Sequence, residues 1–403
     1  MHRYWIWLAG RPGLGSRGRQ ALLRHFPDPE TIYRAAPEAL QTIPELTPEG
    51  LKALADKSLD RAEAICRDCS QKQIRILTLS DGAYPKRLKQ ISDPPLVLYA
   101  KGELPELDSL PAIGVVGTRQ CSAYGLSAAC AMGYQIGRCG GIVVSGLAAG
   151  IDRAAMEGCL KARQPVVGVP GCGVDVVYPT GNRELYAAVE SYGCILSQYP
   201  PGTPPRKGHF PQRNRIISGL SCGVLVVEAP EISGALITAR NALEQGRDVF
   251  AVPGNIDNPC CAGSNGLLRQ GAIPAACGWD ILGEYESRFP GRVRRDDSRP
   301  EIPEKTGKIP AIPGNIRVPA EKPRKKGIDK GGVPPYSGLG AAASLSPEQR
   351  AVLEALKDGP RLVDDIIAGS GKPAGAVLAM LTLLEVKGLI RTLPGRRICL
   401  RGD

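Results

Sequence analysis

Between Ile113 and Val252, short apolar runs alternate with longer segments whose apolar residues fall at helical spacing. The runs read "AIGVVG", "GIVVSG", "PVVGVP", "GCILSQ", "GVLVVEA" and "DVFAVP", and they begin roughly every 24 to 30 residues. That interval suits one strand, its crossover helix and the return. The runs are apolar almost throughout rather than alternating, as strands covered on both faces must be. The intervening "YGLSAACAMGYQIGRC" and "ALITARNALEQG" supply the helices. The pattern predicts an α/β fold, a doubly wound parallel sheet with helices on both faces.

Upstream, residues 1–72 read as a small helical domain in which "PGLGSRGRQALLRHF" is a Gly-turned hairpin leading into a helix. "IRILTL" and "PLVLYA" read as strands that extend the sheet, so the sheet domain is expected over 73–283. Residues 284–343 are rich in Pro, Gly, Lys and Arg, as in "PEKTGKIPAIPGNIRVPAEKPRKKGIDKGG", and lack apolar periodicity. Such a segment buries too little to fold and reads as a flexible linker. Over 344–403, "LSPEQRAVLEALKDG", "RLVDDIIAGS" and "KPAGAVLAMLTLLEVKGL" predict three helices, and "LIRTL", "PGRR" and "RICLRG" a hairpin with a basic turn. Three helices and a hairpin suggest a winged helix.

Composition narrows the function. The 403 residues are 43% hydrophobic, enough for a substantial core, and 51 Lys+Arg against 40 Asp+Glu leave a net charge of +11. That excess suits a polyanionic partner. Thirteen cysteines would suit a disulfide framework in a secreted chain, but "YWIWLA" is too short for a signal sequence. Reduced thiols and a cytoplasmic location are therefore expected. Only Cys66 and Cys69 form a CxxC, and no second pair completes a metal site, so neither a metal nor another cofactor is expected. His2, His25 and His209 leave little scope for histidine acid–base chemistry. No apolar run approaches the ~18 residues of a membrane helix.

In an open parallel sheet, ligands collect beyond the carboxyl ends of the strands. Gly117, Thr118, Arg119 and Ser122 follow the first run, and Ser145, Gly146 and Asp152 follow the second. "KGHFPQRNR" precedes the fifth and holds Lys207, Phe210, Arg213, Asn214 and Arg215. Backbone N–H groups at turns and helix starts attract phosphate oxygens. Arg119 adds a planar cation suited to phosphate. Lys207, Arg213 and Arg215 would continue the track, and Phe210 offers a face on which a base could stack. Each residue also has a plainer reading: Phe210 plugging the sheet edge, the arginines paired with carboxylates, Asp152 serving a helix start. Their convergence on one edge favours a single-strand track without a catalytic centre.

Three other motifs carry less. "GLGSRG" at 13–18 fits GxGxxG without a strand or a ribose-binding acid in place, and reads as a helix hairpin. "GSGK" at 369–372 has Ile366 and Pro373 where a phosphate loop needs Gly and Ser or Thr. The terminal "RGD" has no use as an adhesion signal in a cytosolic chain.

Across residues 111–277, "VVGTRQCSAYG", "VVSGLAAGIDRAAMEGCL", "GCGVDVVYP", "FPQRNRIISGLS", "VLVVEAPEISGALITARNALEQGRDVFAVPG" and "GSNGLLRQGA" together resemble the DNA-processing protein A (DprA/Smf) family. The resemblance implies an extended Rossmann-like domain that binds single-stranded DNA cooperatively, commonly as a homodimer. It further implies protection of incoming DNA in natural transformation (competence), and loading of a RecA-type recombinase onto strands held by single-strand binding protein. The family's binding positions fall here on Gly117, Thr118, Arg119, Lys207 and Phe210, with Arg213, Asn214 and Arg215 matching as well. The first helices resemble the sterile-alpha-motif or helix-hairpin-helix regions of relatives, and the last module their winged helix. That module's third helix is only mildly basic, with Lys372 and Lys387 offset by Glu385, so Arg391, Arg396 and Arg397 of the wing are the expected DNA contact. Three positions depart from the pattern: Ala149 and Met156 stand where arginine and histidine are usual, and Gln198 where glutamate is common.

Two further classes remain open to the sequence. A related Rossmann-like enzyme, a phosphoribohydrolase acting on a nucleoside monophosphate, would use Glu228 or Asp152, although its characteristic glycine, threonine and glutamate run is missing from "EAPEISGALITAR". An interaction scaffold would use the sheet for dimerisation and the linker as a tether, without direct affinity for DNA.

Overall fold

The computed structural model describes residues 1–296 and 298 and, further on, 352–354, 356, 359, 361–370, 377, 380, 381, 384, 389–393 and 397–400. The chain divides into two compact units, Met1–Pro313 and Gly314–Asp403.

The first unit opens with six helices: α1 (His2–Ala9), α2 (Ser16–His25), α3 (Pro29–Arg34), α4 (Pro37–Gln41), α5 (Pro48–Ala55) and α6 (Asp60–Gln71). Asp28 and Thr47 cap α3 and α5 by accepting hydrogen bonds from Thr31 N and Gly50 N. A hairpin-like pair follows, β1 (Arg75–Thr78), the short α7 (Lys86–Lys89) and β2 (Val97–Gly102). The six apolar runs then form β3 (Ala112–Val116), β4 (Ile142–Ser145), β5 (Val166–Gly168), β6 (Cys194–Ser197), β7 (Gly223–Val226) and β8 (Asp248–Ala251). Between them lie α8 (Ala123–Arg138), α9 (Ile151–Lys161), α10 (Arg183–Tyr192), α11 (His209–Leu220) and α12 (Gly234–Glu244). The unit ends in α13 (Ala262–Arg269), β9 (Ile273–Pro274) and α14 (Trp279–Leu282).

Nine strands make one sheet in the order β1-β2-β6-β5-β4-β3-β7-β8-β9. The expected parallel core holds from β6 to β9, but β1 and β2 join antiparallel, Tyr99 facing Ser197 across the β2–β6 ladder. β9 is two residues long, too short to leave a pattern in the sequence. Neighbouring residues on a strand enter opposite faces. Val143, Ile195 and Leu225 belong to one core, while Val144, Leu196, Val224 and Val226 belong to the other. The N-terminal helices share the first core through Trp7, Leu22 and Leu54, so they are packed onto the sheet rather than set apart from it. The packed body also runs past the expected linker start at 284. Tyr285, Phe289 and Val293 are buried, and Arg138 pairs with Asp296 at 2.8 Å. The remainder of the expected linker, 297 and 299–343, lies outside the described residues.

In the second unit β10 (Arg361–Leu362), α15 (Val363–Ser370), β11 (Ile390–Leu393) and β12 (Arg397–Leu400) form a three-stranded sheet ordered β10-β12-β11 beside a helix. Val352, Leu356, Ile366, Val377, Leu381, Leu384 and Ile398 build its core. The expected hairpin is present, with Leu393 opposite Arg397. The side chains of Lys372, Glu385, Lys387, Arg391, Arg396 and Arg397 lie outside the described residues.

α8 and α9 cross at Gly133 and Gly158, where an added Cβ would press on the backbone carbonyls of Ala155 and Cys130. This close approach sets how the helix behind the first loop sits against the sheet. Gly133→Ala should lower the unfolding free energy by about 1–3 kcal/mol through overpacking, despite alanine's better helix propensity. Urea denaturation followed by circular dichroism measures it; a stability at or above wild type would show that the helices can move apart.

Candidate nucleic-acid interface

Strand order reverses between β3 and β7, since β4 continues to one side of β3 and β8 to the other side of β7. Such a switch point opens a crevice beyond the carboxyl ends of the two strands. Here the crevice is a cleft of about 420 Å³ lined by Gly117, Thr118 and Arg119 after β3, by Ile232 and Ser233 after β7, and by one face of α11.

The loop after β3 is fastened from below. Gly117 leaves no room for a side chain, because a Cβ would stand 2.7 Å from that of Ile151. Thr118 N donates to Glu228 O at 2.8 Å, and Thr118 O accepts from Ile151 N at 3.3 Å. Glu228 has 0% exposure. Its two carboxyl oxygens accept from Ser122 Oγ at 2.6 Å and Ser122 N at 2.9 Å. Ser122 Oγ also caps α8 by accepting from Gly125 N at 3.0 Å. Ser122 is thus an anchor of the loop, with its hydroxyl engaged inward. Ser145 is likewise occupied: it is fully buried and donates to Val115 O at 2.6 Å.

What the anchored loop presents outward is Arg119. Its guanidinium carbon stands 5.0 Å from the centroid of the Phe210 ring, a cation–π contact. Phe210 is half-buried at the second position of α11, its ring 5.8 Å from that of Tyr178 and resting on Gly171. Lys207 is exposed on the turn entering α11. Arg119 and Phe210 therefore meet in space, while Lys207 stands exposed three residues before Phe210 in the turn that enters α11.

Helical geometry divides the rest of "KGHFPQRNR". Phe210, Arg213, Asn214 and Ile217 lie at i, i+3, i+4 and i+7 and share the face that lines the cleft. Arg213 is only 4% exposed. Its Nη1 donates to Val169 O, and Gly146 packs so closely that a Cβ there would stand 2.6 Å from Nη2. Asp152 Oδ2 accepts from Gly146 N at 3.0 Å on the other side. Burial pushes the Arg213 guanidinium below its ordinary value and Asp152 above the carboxylate range, and the attraction between the two opposes both shifts. Arg213 is thus held as a strut through Nη1, although its buried Nε, on the face that lines the cleft, has no hydrogen-bond partner. Asn214 Nδ2 donates to Gly234 O at 3.1 Å, tying α11 to the start of α12. Arg215 points the other way, onto Gln198 Oε1 at 2.7 Å and Asp93 Oδ2 at 3.5 Å. It is not brought to this rim.

The helix starts differ too. Ser122 and Ser233 cap α8 and α12 with their own side chains, whereas α9 and α11 begin without a side-chain cap. Two rim residues escape the sequence reading. Tyr178 sits beside Phe210, and Ile232 is 96% exposed at the cleft mouth. Both lie in the post-strand turns "GCGVDVVYP" and "APEISG", where an apolar side chain among turn residues is the available signal.

The family model for DNA recombination-mediator protein A matches residues 75–286. The chain belongs to this family. A second match, to the DprA winged helix domain, covers residues 339–396. Among DprA/Smf relatives, Protein Smf from Synechocystis sp. is 33% identical over 407 residues, covering 98% of this chain and 97% of that one. The DNA processing protein DprA of Bacillus subtilis is 42% identical over 267 residues, 64% of this chain and 89% of that one. In three dimensions the chain is similar to the X-ray structure of DprA from Streptococcus pneumoniae, with a TM-score of 0.62 and 32% identity over 70% of this chain and 98% of that one.

The strut and the loop cation should separate in experiment. Arg213→Ala leaves Val169 O without this donor and Asp152 buried with only the weaker attraction of Arg119 for a countercharge, and should cost about 3–5 kcal/mol of stability. Arg119→Ala should leave the melting temperature within about a degree of wild type, since exposed surface substitutions stay near ±0.5 kcal/mol. Thermal denaturation of the two variants side by side checks this; equal melting temperatures would contradict the assignment.

Proposed function

We propose that the protein binds single-stranded DNA along the rim formed by Arg119, Lys207 and Phe210, and acts without chemistry of its own. In this reading it holds and protects incoming strands in natural transformation and passes them from single-strand binding protein to a RecA-type recombinase. It works as a cytoplasmic homodimer. The observation that carries the proposal is the guanidinium of Arg119 poised 5.0 Å over Phe210 at the switch point of the sheet. A ring and a planar cation in contact at one rim offer stacking to a base and donors to the adjoining phosphate, the pair of contacts that a single strand supplies and a free anion does not. Lys207 extends the positive edge, and membership of the recombination-mediator family agrees.

The phosphoribohydrolase alternative needs a carboxylate turned to the cleft. Glu228 has both oxygens committed to Ser122, and Asp152, which does line the cleft, is buried and accepts from Gly146 N. Incubation with nucleoside monophosphates should release no base. The scaffold alternative predicts no direct affinity for DNA, and a mobility shift with a homopolymer strand tests it.

Phe210→Ala should weaken single-strand binding by about 1–3 kcal/mol at constant salt. Arg119→Ala should weaken binding to all sequences alike and reduce the slope of log K against log salt by about one. Fluorescence anisotropy titrations over a salt series measure both. Unchanged affinity in the two variants would remove the rim as the binding site.

A further inference from the structure

On the side of α11 away from the rim, the N-terminal helices and the sheet enclose a second cleft of about 380 Å³. That volume is in the range of small-ligand sites. Its lining is strongly unbalanced in charge: Arg11, Arg19, Arg61 and Arg215 against the single carboxylate of Asp93. Arg11 has its own partner outside the cleft, Asp56 at 2.8 Å. Asp93 pairs with Arg215, and Arg19 feels the same carboxylate and is repelled by Arg215. Arg19 donates through Nη2 to Ala9 O at 3.0 Å, but its buried Nε has no hydrogen-bond partner. Buried polar groups are nearly always satisfied, so an orphaned guanidinium N–H in a positive hollow marks a place for an acceptor from outside. The walls between the cations are flat and apolar, formed by Pro95, Pro200 and Tyr199, whose ring is stacked on His209 with centroids 4.1 Å apart.

We infer that this cleft is a second binding site, for a nucleoside phosphate, in which Arg19 and Arg61 take the phosphate and the Tyr199 and proline walls take the base. The inference is separate from the rim in its residues and shares only α11, which presents Phe210 and Arg213 to one cleft and Gln212 and Arg215 to the other. Tyr199 of this cleft stacks on His209, the residue that precedes Phe210 at the start of α11. The ligand is therefore either a nucleotide of a bound strand or a free nucleotide.

Calorimetry of the full chain with thymidine monophosphate, inorganic phosphate, and short and long oligothymidylates distinguishes these. The variants are Arg61→Glu, an exposed position that leaves folding intact, and Arg19→Gln, with Arg119→Ala/Phe210→Ala as the background that removes the rim. If free nucleotide is the ligand, the monophosphate binds wild type and the rim variant alike, and Arg61→Glu or Arg19→Gln weakens it about tenfold or more, the loss of a charge-assisted hydrogen bond. If the strand is the ligand, the two cleft variants weaken long oligothymidylate and lower its salt slope by about one while short oligothymidylate is unaffected. A response of neither the monophosphate nor long oligothymidylate to the cleft variants, with melting temperatures unchanged, would overturn the inference. So would inorganic phosphate competing as well as the monophosphate, because the base would then contribute nothing. Loss of rim binding alone would leave this result standing, and the reverse holds equally.

Discussion

Glu228 ends the β7 strand region with a carboxyl group that has no exposed surface, and Ser122 meets it with both its N–H and its hydroxyl. The same residue's backbone carbonyl receives Thr118 N. Three hydrogen bonds thus tie the loop after β3 to the loop after β7 across the switch point. Leaving such a group unpaired in a dry interior would cost several kcal/mol, so the two loops are held in one arrangement. Arg119 stands on the span between Thr118 and Ser122. The clamp fixes the backbone from which Arg119 projects, and the cation–π contact of its guanidinium with Phe210 completes the placement.

A division of labour follows along the rim. Ser122, Ser145, Gly146, Asp152, Arg213 and Asn214 hold the loops and α11 in register, each with a named backbone or carboxylate partner, the last three from the floor of the cleft. Arg119, Lys207, Tyr178, Phe210 and Ile232 face outward from this frame. Preorganised support reduces the entropy lost when a flexible strand is captured, because only the strand has to be ordered. The cleft's charge is carried by few cations, which makes the stacked ring as important as the electrostatic contacts in the proposed binding.

The six central strands were legible because each is buried on both faces and announces itself as a continuous apolar run. The antiparallel β2 was legible as a strand but not in direction, since direction depends on which edge the returning chain reaches. Tyr285, Phe289 and Val293 recur every four residues inside a polar stretch, a helical spacing that composition alone conceals, and Arg87 and Arg288 cover Phe289 at 5.6 and 5.5 Å. At the site, residue types pointed to the edge where Arg119 and Phe210 meet, but sequence proximity overstated how many of the residues share it. Five positions separate Phe210 from Arg215, and on a helix that spacing turns the second residue to the far side. Burial is the other hidden variable: nothing in "RNR" distinguishes Arg213, a strut under Gly146, from a free cation.

The departures from the family pattern acquire meaning once these two clefts are separated. Ala149 borders a small hollow of about 90 Å³ beside Arg119, Tyr178 and Phe210, so the arginine usual there would have added a cation to the rim. Met156 is fully buried in the core, where a thioether packs without the hydrogen bonds an imidazole would require. Gln198 accepts from Arg215 at 2.7 Å as a neutral amide. A glutamate in its place would join Asp93 in neutralising Arg215 and the cleft beside it. The first change removes positive charge from the rim and the last removes negative charge from the second cleft. In the proposed two-site reading, both changes shift the attraction for phosphate across α11 toward Arg19 and Arg61.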